Sequence, residues 1–83
     1  MAYLPSIVEA HYQSGYIVRL TFDNGTKKSV DVSQFFIGPV FEPIKEITTF
    51  QKLYVEAGAL SWPSGVDISP EALYEAEEAQ KAA

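Results

Sequence analysis

The side chains with reactive potential are few and far apart. His11 is the only histidine, and the chain has no cysteine. Without cysteine there is no thiolate nucleophile, no disulfide and no Cys-based metal site. No His-x-His, His-Glu-x-x-His or clustered-carboxylate spacing occurs, so no metal ligand set is expected. His11 falls in a predicted strand beside Tyr12 and reads as a rim residue rather than a catalyst. Asp23-Asn24-Gly25 superficially resembles the start of a calcium loop, but the other ligand positions are missing and the run reads as a turn. Ser64-Gly65 lacks a nucleophile-elbow pattern and a base partner, and there is no glycine-rich phosphate loop. The sequence therefore assigns no catalytic, cofactor-binding or metal-binding residue, and the expectation is a non-enzyme.

Two punctuated runs stand out instead. The first is Gly38-Pro39-Val40-Phe41-Glu42-Pro43, in which Phe41 reads as an apolar anchor and Glu42 as held extended by Pro43. The second is Trp62-Pro63-Ser64-Gly65-Val66-Asp67-Ile68-Ser69-Pro70-Glu71, which holds the only tryptophan. Asp67 has two readings: a carboxylate that braces the turn by accepting backbone N–H groups, or one that faces a partner. Candidate interaction or signature residues are thus Trp62, Gly65, Asp67, Phe41 and Glu42. An alternative is a small-ligand or enzyme site around Trp62, Asp67 and Tyr74. The aromatic set of Tyr16, Phe22, Phe35, Phe36, Phe41, Phe50 and Trp62 reads as core, and any large member left exposed would mark an interaction face.

The totals limit the options further. Eighty-three residues suit one domain over 1–83, and the apolar share of 47% is that of a globular chain. The net charge of −5 disfavours direct binding to nucleic acid, which needs a basic face. Arg19, Lys27 and Lys28 are the residues such binding would use. The lysine pair reads instead as edge protection or a solvated face. The same charge is compatible with a basic protein partner. No window approaches the ~18–20 apolar residues of a membrane span, no signal peptide is visible, and a disulfide-free chain favours the cytoplasm.

The elements that must position these residues follow from periodicity. A first strand is expected over Tyr3–Tyr12, with a turn at Ser14-Gly15. Tyr16, Val18, Leu20 and Phe22 alternate onto one face, with Ile17, Arg19 and Thr21 opposite. Asn24-Gly25 supplies a hairpin turn, and 27–32 returns as a strand with Val30 and Val32 on one face. Ser33 is expected to cap a short turn bearing Phe35 and Phe36. Helical turns are expected over 43–47, with Pro43 at the first position, and over 49–53, with Thr48 as cap. Strand character returns at Tyr54-Val55 and at Ala59–Trp62. Ser69 then caps a helix with Pro70 at its first position and Glu71 beside the positive dipole end. That helix docks through Leu73 and Tyr74 and continues as a frayed tail over about 76–83. The fold class is α+β: an antiparallel β-meander of three strands, short helical turns, two further strands, and a C-terminal helix packed on the sheet.

The runs Leu20–Thr26, Val30–Val32, Gly38–Ile44 and Trp62–Tyr74, with Phe50, resemble the bacterial family catalogued as domain of unknown function 2442. The order and spacing agree over about residues 5–75, and the Trp-Pro-x-Gly-x-Asp-x-x-Pro run is the specific part. The resemblance implies a small α+β protein, sometimes fused in the family to a helix-turn-helix domain. It also implies pairing with a short protein encoded alongside, of domain of unknown function family 4160, in what looks like a toxin–antitoxin module with this family as the antitoxin. No catalytic residues carry over. Because the chain ends soon after the shared region, no fused DNA-binding domain is expected. The functional expectation is a small protein-binding module whose partner is encoded by a neighbouring gene, with a homodimer left open.

Overall fold

Three antiparallel strands form the first sheet of the computed structural model, which describes residues 3–79. They are β1 (Ile7–Ser14), β2 (Ile17–Phe22) and β3 (Lys27–Asp31), in the order β1-β2-β3. Val18, Leu20 and Phe22 turn inward and are buried, as the period of two requires. The first strand begins four residues later than expected. Pro5 has no N–H to give a ladder, and the segment bridges instead. The Ser6 carbonyl accepts from the Asp23 N–H at 2.9 Å, and the Ile7 N–H donates to the Gly58 carbonyl at 2.8 Å. The register slips between Ile7 and Glu9, leaving Val8 exposed at this irregularity and restoring Ala10 and Tyr12 to the inner face. Such a bulge accounts for the imperfect alternation of this stretch.

The β2–β3 turn has the form expected of Asn-Gly. The Phe22 N–H donates to the Thr26 carbonyl at 2.8 Å, and the Gly25 N–H to the Phe22 carbonyl at 2.9 Å. Gly25 takes φ +89°, the left-handed position of a glycine bulge. The Asn24 side chain closes the turn by accepting from the Thr26 N–H at 3.0 Å.

After β3 the chain makes tight turns. A 3-10 helix spans Val32–Phe35, and its cap is Asp31 rather than the expected Ser33. The Asp31 carboxylate accepts from both the Ser33 N–H at 3.0 Å and its hydroxyl at 2.6 Å. An aspartate two residues earlier reaches the Ser33 N–H, while the Val32 N–H is taken by the Tyr16 carbonyl, which decides the assignment. Next comes a 3-10 segment, Pro39–Ile44, where a turn starting at Pro43 was expected. Its bonds are Phe41 N–H to Gly38 carbonyl and Lys45 N–H to Glu42 carbonyl, at 3.4 and 3.2 Å. Each proline therefore occupies the second position of its own turn, which its fixed φ suits. Glu42 consequently sits inside the helical segment and is not extended. The short helix α1 covers Ile47–Phe50 with Glu46, not Thr48, at the cap position.

The second sheet has the order β4-β5-β6, from β4 (Tyr54–Glu56), β5 (Ala59–Ser61) and β6 (Asp67–Ile68). The last strand is one more than the sequence reading anticipated. At two residues it is too short to show a period. Helix α2 (Pro70–Glu75) starts as expected, with the Ser69 hydroxyl accepting from the Ala72 N–H at 3.2 Å. It stops at Glu75, however, where continuation into the tail was expected. Ala76 is extended, at ψ 147°, and the Ala79 N–H donates to the Ser29 carbonyl on β3 at 2.6 Å. The alanine- and glutamate-rich stretch has no apolar face to hold a helix against the sheet, and propensity alone does not sustain a short helix. Residues 80–83 of the expected tail lie outside the described residues.

One core joins the two sheets. Val18, Leu20, Phe22, Val30 and Val32 meet Ile44, Phe50, Leu60, Trp62, Ile68 and Leu73. Phe50 is its aromatic hub, with Tyr12, Tyr16, Phe36 and Trp62 around it at centroid distances of 5.1–6.1 Å. Both Phe35 and Phe36 are half-buried against this core.

Candidate functional site

The run from Trp62 to Asp67 is built as a second glycine-bulge turn. The Trp62 N–H donates to the Val66 carbonyl at 2.9 Å and the Gly65 N–H to the Trp62 carbonyl at 3.0 Å. Gly65 has φ +95°, which a side chain would strain even though a Cβ there meets open space. The pattern repeats the β2–β3 turn bond for bond, with buried Trp62 in the place of buried Phe22.

Trp62 faces inward. It is 1% exposed, and its indole N–H donates to the Phe50 carbonyl at 2.8 Å. That bond satisfies a donor at no solvent cost and ties the end of α1 to the second sheet. Asp67 stays exposed on β6, paired through its main chain opposite Ser61. Main-chain bonds close the turn, so the brace expected of the Asp67 carboxylate is not what holds it. Tyr74, the third member of the alternative ligand site, turns elsewhere. Its ring meets Phe22 edge-on at 5.0 Å and Tyr3 at 5.4 Å, and its hydroxyl accepts from the Asn24 amide at 3.1 Å. Trp62, Asp67 and Tyr74 thus serve three different neighbourhoods.

The tyrosine pair has distinctive electrostatics. Hydrogen bonds from Asn24 and Thr26, then the Lys28 charge, pull the Tyr74 phenol below its ordinary value. Desolvation pushes the Tyr3 phenol above its ordinary value, reinforced by its hydrogen bond to the Asp23 carboxylate. Lys28 itself is not a free surface cation. Its ammonium donates to the Tyr74 carbonyl at 2.8 Å and to the Ala76 carbonyl, at the end of α2. A cation there meets the negative end of the helix. The sequence pairing of Lys27 with Lys28 concealed this, because the contact spans from residue 28 to the far end of the chain. Arg19, the other basic candidate, lies 3.8 Å from the Glu78 carboxylate.

Phe41 is half-buried and stacks on Phe36, with centroids 6.1 Å apart and planes 29° apart. Glu42 is exposed and pairs with Lys45 at 2.7 Å. Next to them are residues that sequence reasoning passed over: Ile37 is 79% exposed and Val40 is 61% exposed. The available signal was position. Both flank Gly38-Pro39 in a stretch with no periodicity that would give them a core partner. His11 is exposed, 3.6 Å from the Glu9 carboxylate. No group of three or more His, Cys, Asp or Glu residues with metal-binding geometry occurs among the described residues. No helix among them is long and apolar enough to cross a membrane.

The family model described as "Protein of unknown function (DUF2442)" matches residues 7–79. The chain belongs to this family, as the Trp-Pro-x-Gly-x-Asp-x-x-Pro resemblance implied. No curated protein and no solved structure matches the chain.

Proposed function

For this member of the DUF2442 family we propose a protein-binding role, as the antitoxin-like partner of a short protein encoded by a neighbouring gene and acting in the cytoplasm. The observation that carries the reading is the surface around Phe41. Large apolar side chains are held out to solvent there in the same loop as the exposed Glu42, on a chain of net charge −5. Exposed apolar groups with a charged rim fit a protein interface. The distinctive residues of the second run, Trp62 and Gly65, serve the turn and the core, which leaves Asp67, Phe41 and Glu42 as contributors to a surface.

Co-expression with the product of the neighbouring gene, followed by size-exclusion chromatography, tests this. The expected result is co-elution, and relief of any growth defect that the neighbour alone causes. Separate elution without relief of growth overturns the proposal.

A further inference from the structure

Ile37 and Val40 are displayed by a loop braced from within by turns and an aromatic stack. The Ile37 N–H donates to the Phe35 carbonyl at 2.8 Å across Phe36, whose φ −78° and ψ 66° are those of an inverse γ-turn. Gly38 has φ +88° and leads into the turn begun by Pro39. Beneath, Phe36 and Phe41 stack on each other, Tyr16 meets Phe36 edge-on at 5.0 Å, and the Tyr16 hydroxyl donates to the Lys45 carbonyl. Single exposed aliphatics are ordinary. Here two of them sit at the tip of a loop fixed by two prolines, a γ-turn and an aromatic stack. These restraints reduce the backbone entropy to be lost on binding, which favours a preorganised contact.

We propose that the loop Ile37–Glu42 is a docking element that inserts Ile37 and Val40 into an apolar cleft on a partner protein whose rim carries Lys or Arg side chains. This rests on the protein-binding reading above and names the surface and the chemistry of its partner. Charge selects among the occupants. Glu42 is exposed on the loop, paired with Lys45, Glu46 follows at the start of α1, and the chain as a whole is acidic. A second copy brings the same negative charge and is repelled. An anionic membrane surface is disfavoured for the same reason. A basic-rimmed cleft is attracted at long range and paired at contact.

The test is calorimetric titration of the full-length chain with the neighbouring gene's product. Ile37→Asp is expected to weaken binding at least ~100-fold, as truncating a central apolar anchor does. Glu42→Lys is expected to weaken it several-fold and to flatten its salt dependence. Val8→Asp, an exposed position on β1, serves as the control and leaves affinity within about twofold. An unchanged far-UV circular dichroism spectrum and melting curve show that Ile37→Asp still folds. If the folded Ile37→Asp variant binds as tightly as wild type, the docking assignment falls while the protein-binding reading stands. If wild type does not bind at all, both fall. Self-association of wild type that Ile37→Asp abolishes replaces the basic-rimmed partner with a second copy and overturns the assignment.

Discussion

Replacing Trp62 with phenylalanine separates a fold signature from a binding site. The indole is 1% exposed and its N–H bonds the Phe50 carbonyl at 2.8 Å. Phenylalanine keeps the aromatic contact with Phe50, now 5.6 Å between centroids, but loses the donor. The Phe50 carbonyl still accepts from the Leu53 N–H at 3.3 Å, so it is not left orphaned. The lost bond then costs about 1 kcal/mol. The missing part of the ring adds about 1–2 kcal/mol in transfer and cavity terms, since the surrounding core relaxes only partly. The sum, about 2–3 kcal/mol, lowers the melting temperature by roughly 8–24 °C in a domain of this size. Far-UV circular dichroism is the suitable probe, because the substitution removes the only tryptophan. In wild type that buried tryptophan is expected to emit to the blue and to shift red on unfolding. A Trp62→Phe variant melting within ~3 °C of wild type, or a wild-type emission already red in the native state, refutes the placement of this ring in the core.

Three further outcomes follow from the geometry. Lys28→Met removes the cation at the end of α2 and is expected to cost about 1 kcal/mol, with faster amide exchange at the α2 residues after Pro70; unchanged exchange there refutes the capping role. Ala57 has φ +53° in the two-residue turn between β4 and β5, where asparagine is favoured, so Ala57→Asn is expected to stabilise by about 0.5–1 kcal/mol in urea melts. Gly58→Ala is expected to do the reverse by about 1–3 kcal/mol, since φ is +80° and a Cβ would stand 3.0 Å from the Ser6 hydroxyl. The tyrosines should titrate apart when phenolate absorbance is followed with pH. Tyr74 ionises below the ordinary range, so its contribution to stability appears as pH rises through its folded value. Tyr3 ionises above that range, so its contribution is present at lower pH and is lost as pH rises through its folded value. Tyr74→Phe removes the early step, and a titration in which that step persists refutes the assignment.

Much of the fold was legible because local chemistry and tertiary need coincide. Asn24-Gly25 can make little else but a hairpin turn, and the Ser69-Pro70-Glu71 sequence carries a cap, a fixed φ and a dipole charge in consecutive positions. The alternation from Tyr16 to Phe22 needs only the pleat. Misreadings fall where two local choices are close in energy. Asp31 and Ser33 can each cap the same turn, and the prolines at 39 and 43 each fit either a helix start or the second position of a turn. Short β6 has no period to detect. The end of α2 depends on whether residues 76–79 find the β3 edge, a contact far away in sequence.

The sequence by itself determined the family, the α+β class and the turns that bend the chain, because these rest on residue types whose backbone preferences act within four or five positions. Only the tertiary structure decided which distinctive residues face inward. Trp62 turns to Phe50, Lys28 to the end of α2, and Tyr74 to Asn24, each across at least a dozen residues. It also decided that Ile37 and Val40 have nowhere inside to go. Their chain neighbours Phe36 and Phe41 take the inward positions, packed with Tyr16 and Phe50, and a packed core leaves no room for two more aliphatic side chains.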